Sequence, residues 1–85
     1  MEPIKISYGV KSLTFDGKAV TLAALRDTTT IPVQRIASID MPSYLNVKMV
    51  MKIVTVDGHV HEFPAAYKRG KLRAFREAVL AAQRG

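Results

Sequence analysis

Leu13-Thr14-Phe15-Asp16-Gly17-Lys18-Ala19-Val20-Thr21-Leu22 is the stretch that decides the fold. Apolar and polar residues alternate on both sides of Asp16-Gly17, and a period of two marks a strand with one buried face. Asp-Gly between two such runs predicts a hairpin, because a two-residue primed turn needs positive φ at its centre. With Asp16 and Gly17 central, Leu13 faces Val20 and Lys11 faces Leu22. Ser12, Thr14, Ala19 and Thr21 then share the wetter face.

Outward from that hairpin, Ile4, Ile6 and Tyr8 alternate with Lys5 and Ser7 as a further strand, and Gly9 interrupts it. On the other side, Asp27 to Thr30 reads as a turn. Ile31-Pro32-Val33 reads as a short edge strand, since proline cannot donate to a central ladder. Arg35 to Asp40 looks extended, but Ile36 and Ile39 lie three apart, which predicts a bend or bulge between them. Met41-Pro42-Ser43-Tyr44 reads as a loop. Val47 to Val56 is the longest predicted strand, with Val47, Met49, Met51 and Ile53 on one face. Val50, Val54 and Val56 share the other face with Lys48 and Lys52. Asp57-Gly58 predicts a second hairpin turn, His59 to Phe63 the returning strand, and Pro64 its end. That register sets His59 against Val56 and His61 against Val54.

The period then changes. Leu72, Phe75, Val79 and Ala82 recur at three and four, which predicts an amphipathic helix over about 68–83. The expected class is α+β: one domain over 1–85, with about six or seven antiparallel strands in a small barrel or bent sheet, capped by the helix.

The 85 residues are enough for one domain and too few for two. Without cysteine the chain has no disulfide, no thiolate metal ligand and no thiol nucleophile. No apolar run reaches the ~18–20 residues of a membrane span. Met1 to Tyr8 carries Glu2, Pro3 and Lys5 instead of a signal-peptide core, so a cytoplasmic location is the expectation.

The formal net charge is +6, and its distribution says more than its size. Residues 67–85 hold six Lys and Arg against Glu77 alone, whereas residues 1–66 hold seven basic and six acidic residues. The excess therefore belongs to the predicted helix. At 100° per residue, Arg69, Arg73, Arg76, Leu80 and Arg84 fall on one flank of it. The helix entrance, Lys68-Arg69-Gly70-Lys71, has no capping or acidic residue, against the usual preference at that end. Free N–H groups beside basic side chains suit a phosphate or carboxylate. Lys68, Arg69, Lys71, Arg73, Arg76 and Arg84 are thus the candidate anion- or partner-binding residues, and a plain solvated face is the other reading of the same charge.

Two further constellations bear on chemistry. His59 and His61 share a strand face and are weak candidates for one metal ion, but a third ligand is missing nearby, so two half-buried histidines is the simpler reading. Asp16, Asp27 and Asp57 occupy turn positions, and neither a Gly-rich phosphate loop nor a Ser/His/Asp spacing occurs. No catalytic residue, cofactor or small-molecule substrate is expected. Only Tyr67 and Phe75 lie near the basic segment, too few rings for stacking single-stranded nucleic acid. Met41, Tyr44, Met49 and Met51 offer either adaptable surface for self-association or core filling.

The run from Leu13 to Leu22, then Ile31-Pro32-Val33 with Ile36 and Ile39, Met51 to Phe63, and the Phe75-centred helix together resemble the short bacterial pleckstrin-homology-like domains, over roughly Val10 to Gln83. The resemblance implies two near-orthogonal sheets capped by the helix, and binding of lipid head groups, peptides or sister subunits without catalysis. Eukaryotic phosphoinositide binders of that superfamily carry basic residues in the first hairpin loop. Here that loop is read as Asp16-Gly17 with only Lys18 beside it, which argues against a head group there. The partners expected are an acidic protein surface or a second copy, with anionic lipid or nucleic-acid phosphate as the alternative.

Overall fold

A computed structural model describes residues 3–41, 50–65 and 69–85. The expectations for Pro42 to Met49, Tyr67 and Lys68 lie outside these residues. Seven strands and one helix form: β1 Ile4–Tyr8, β2 Lys11–Phe15, β3 Ala19–Ala23, β4 Thr28–Pro32, β5 Ile36–Asp40, β6 Val50–Thr55, β7 Val60–Pro64 and α1 Arg69–Arg84. A single 3₁₀ turn, Val33–Arg35, joins β4 to β5. The strands make two antiparallel sheets, β1-β2-β3-β4 and β5-β6-β7.

Alternation explains the core. Ile6, Leu13, Phe15, Val20 and Ile31 from the first sheet meet Ile39, Met51, Ile53 and Phe63 from the second, all buried. Leu72, Phe75 and Val79 of α1 close the packing, and the Phe75 ring meets Phe15 edge-on at 6.2 Å and 88°. Such a contact adds to simple burial of the two rings. Met51 is core, and Met41 packs half-buried against it, so these two methionines fill space inside the fold.

The hairpin registers correct the sequence reading in an instructive way. In β2–β3, Leu13 opposes Leu22 and Phe15 opposes Val20. Asp16 stands first in the turn, with its carboxylate accepting the N–H groups of Lys18 (2.8 Å) and Ala19 (2.9 Å), and Gly17 takes φ +97° at the next position. Sliding the turn by one residue moves every opposing pair by two, so the predicted faces survive. In β6–β7 the loop gains a residue: Thr55 N–H donates to His59 O, and Gly58 has φ +91°. This is the three-residue pattern with glycine in the left-handed region. The odd shift sets His61 against Ile53 and Phe63 against Met51, and so brings Phe63 into the core.

Three other expectations resolve. Thr28, Thr29 and Thr30 are strand and not turn, because the chain reverses earlier, where Ala24 N–H donates to Asp27 O at 2.7 Å. β-branched threonines suit that strand. The expected bend or bulge takes the form of a register shift between Ile36 and Ser38, and this bulge lets both Ile36 and Ile39 face inward. The first hairpin is β1–β2, turned by Gly9 (φ +63°) and Val10, so Asp16-Gly17 belongs to the second.

Candidate functional site

α1 presents two different flanks, one anchored to β5 and one exposed. Its first turn holds no acidic residue, as the sequence reading expects. Gln83 and Arg76 border the apolar stripe and reach back to β5. Gln83 Nε2 donates to Ile36 O (2.7 Å) and Val33 O (3.0 Å), and Arg76 Nε donates to Ile39 O (3.1 Å). The geometry follows from repeat lengths. Seven helical residues rise about 10.5 Å, and three strand residues advance about 10 Å. A helix lying against β5 can therefore present side chains 76 and 83 to carbonyls 39 and 36.

Those carbonyls need partners. Val56 N–H donates to Arg35 O, and beyond the bulge Ser38 and Asp40 are the residues that face β6. The carbonyls of Ile36 and Ile39 thus point away from β6, along the outer edge of β5. An unpaired strand edge is a template for another chain. Here the helix occupies it.

Of the six candidate residues, Arg76 is half-buried, held by Ile39 O and by Glu77 at 3.5 Å, so much of its guanidinium is already engaged within the chain. Arg69 is also half-buried. Lys71, Arg73 and Arg84 are exposed, and Lys68 lies outside the described residues. Arg73 and Arg84 share the outer flank about 16 Å apart along the axis, whereas Lys71 sits roughly 200° around the helix from Arg73. The structure therefore divides what the sequence reading grouped. Gln83 escaped that reading because glutamine carries no charge to draw attention. Its spacing of seven from Arg76 was the available signal.

His59 and His61 part company. His59 is exposed, with Nδ1 at 3.1 Å from the Asp57 carboxylate, and His61 is half-buried beside Ile53. Asp57 also accepts the Thr55 hydroxyl and has Arg35 at 3.9 Å. The Thr55 hydroxyl chiefly, with the His59 backbone N–H, holds the Asp57 carboxyl below its ordinary pKa. Asp16 is lowered too, first by the Ala19 N–H and then by that of Lys18. No group of three metal-ligating side chains occurs among the described residues, and no helix there is long and apolar enough to cross a membrane.

Two cavities of about 290 and 220 Å³ lie beside β4 and β7, with Thr29 and His61 lining both. The architecture has a solved counterpart. The solution structure of the N-terminal PH domain of ARAP2 from human superposes with a TM-score of 0.62 at 14% identity, over 96% of this chain and 75% of that one. The chain has a PH-like fold. No family model and no curated protein matches its sequence. The PH-like frame places the helix over one side of the sandwich and leaves the β4–β7 side open.

Proposed function

We propose that the chain is a non-enzymatic interaction module that works in the cytoplasm and offers the outer flank of α1 to an acidic protein surface, on a partner or on a second copy. The observation that carries this reading is the division of labour on α1. Arg76 and Gln83 fix the helix to β5, so the exposed Arg73 and Arg84 are held in a constant position on the barrel. Pre-positioned cations steer acidic partners and set register more than they raise affinity.

The test is the double variant Arg73→Glu/Arg84→Glu. Affinity capture from cell extract, with mass spectrometry, should recover acidic proteins on the unmodified chain and lose them on the variant, at unchanged thermal stability. Light scattering of both proteins reports the second-copy case. Equal capture by the two proteins removes the helix flank from the account.

A second reading, an anion site for phosphate groups of lipid or nucleic acid, is favoured by the helix entrance, where basic residues stand without an acidic one. Salt-sensitive binding to phosphatidylserine vesicles or to oligonucleotides, lost on reversing Lys71 and Arg73, would select it over the protein reading.

A further inference from the structure

Four strands have an outer edge in this fold, and the helix deals with two of them. It lies against β1 and caps the outward carbonyls of β5. β4 and β7 remain, each with one hydrogen-bonded neighbour among the described residues, and both border the open cavities.

The ladder bonds fix which groups these edges present. Val33 N–H donates to Lys18 O, so Thr29 and Ile31 bond to β3, and Thr28, Thr30 and Pro32 face outward. In the same way Thr55 N–H bonding His59 O turns His61 and Phe63 toward β6 and leaves Val60, Glu62 and Pro64 facing outward. Each edge therefore ends in a proline at an outward position, where the missing N–H removes nothing from the sheet. Among the described residues, the N–H groups of Thr28 and Thr30 on β4 and of Val60 and Glu62 on β7 have no strand partner. Apolar Ile31 and Phe63 lie in the lining between them.

Charge is placed unevenly along this groove. At the Pro32 end stand Arg35, His59 and His61. The carboxylate there, Asp57, takes the Thr55 hydroxyl and the His59 imidazole and pairs with Arg35 at 3.9 Å, so one carboxylate stands among three nitrogen-bearing side chains. That imbalance suits a further carboxylate. At the opposite end the charged lining is Asp27, Glu62 and Lys11.

We propose that the β4–β7 groove takes an extended segment of another protein, which adds as a strand to the edge of β4 and sets an acidic side chain against Arg35 and His61. Strand addition draws affinity from main-chain hydrogen bonds and specificity from alternate side-chain positions. The inference extends the protein-interaction reading to a second surface and does not use the helix flank.

The test follows amide resonances of the ¹⁵N-labelled protein during titration with three acetylated hexapeptides. One alternates valine and glutamate, one alternates valine and lysine, and one is the glutamate peptide with alternate amides N-methylated. The glutamate peptide should shift Thr28, Thr30, Arg35 and His61 and slow exchange of the Thr28 and Thr30 amides at least tenfold. The lysine peptide should bind at least fivefold more weakly. N-methylation, or Thr30→Pro, which spares the bonds to β3, should abolish the effect. Arg73→Glu/Arg84→Glu should leave it intact, so loss of the helix reading and loss of this one appear separately. Equal binding of the acidic and basic peptides, shifts confined to α1, or no shift with any peptide overturns the proposal. So does protection of Thr28 and Thr30 that rises with protein concentration alone, which assigns the edge to a second copy.

Discussion

The two open sides of the sandwich meet opposite fates. On one side β5 turns its Ile36 and Ile39 carbonyls outward, and α1 satisfies them with Gln83 and Arg76 while plugging the gap with Phe75. On the other side neither β4 nor β7 has a second strand neighbour among the described residues, and each edge carries a terminal proline that discourages pairing. The first side is where the chain's own C-terminal segment provides stability. The second supplies Ile31 and Phe63 to the core but keeps its outward backbone groups available. The same problem, an unpaired edge, is thus solved on one side and left open on the other.

Substitutions should separate the two sides by size of effect. The largest belongs to the closed side. Phe75→Ala removes a fully buried ring and should destabilise by about 3–5 kcal/mol. For a chain of this length that is a large share of a total of roughly 4–13 kcal/mol, and urea denaturation will show it. Gln83→Ala comes next. It strips two buried-side carbonyls of their donor and should lose about 1–3 kcal/mol, with faster amide exchange in β5.

On the open side the strongest response should come from backbone and not from packing. A Cβ at Gly58 meets no atom within 4 Å, so Gly58→Ala is opposed only by its φ of +91°, at about 1 kcal/mol. Arg35→Ala and Thr30→Val should stay within about 0.5 kcal/mol, since both side chains are exposed. The smallest effect is on pH. Asp16 and Asp57 both titrate below the ordinary carboxylate value when folded. Their contribution is therefore complete above that value and fades as pH falls through the folded one. Acid titration of thermal stability should show this slight loss, and Asp57→Asn should reduce it.

The legibility of the chain divides along the same line. Alternation around Leu13, Phe15, Met51 and Ile53 and the three-four spacing of Leu72, Phe75 and Val79 were enough for the strands, the helix and the core. Register was harder, because it depends on how a turn is closed. Asp16 accepts two N–H groups as the first residue of its turn, and no residue count reveals that choice. Phe63 was the clue for β7, since the two-residue turn would have put a phenylalanine on the wet face. The basic helix was visible as charge, but which cations are engaged depends on the carbonyls of Ile36 and Ile39. Their direction follows from a bulge and a ladder phase far away in sequence. The β4–β7 groove was invisible for the same reason: an unpaired edge is a property of strand order, and strand order comes from the whole fold.

Native-state amide exchange of the unmodified protein tests the contrast most directly. Along β4, Thr29 and Ile31 should exchange slowly and Thr28 and Thr30 fast. Along β7, His61 and Phe63 should be slow and Val60 and Glu62 fast. In Gln83→Ala, exchange of Ser38 and Asp40 should quicken while Thr29 and Ile31 keep their rates. Thr28 and Thr30 exchanging as slowly as their neighbours would contradict the account, because the β4–β7 side of the fold would then be closed.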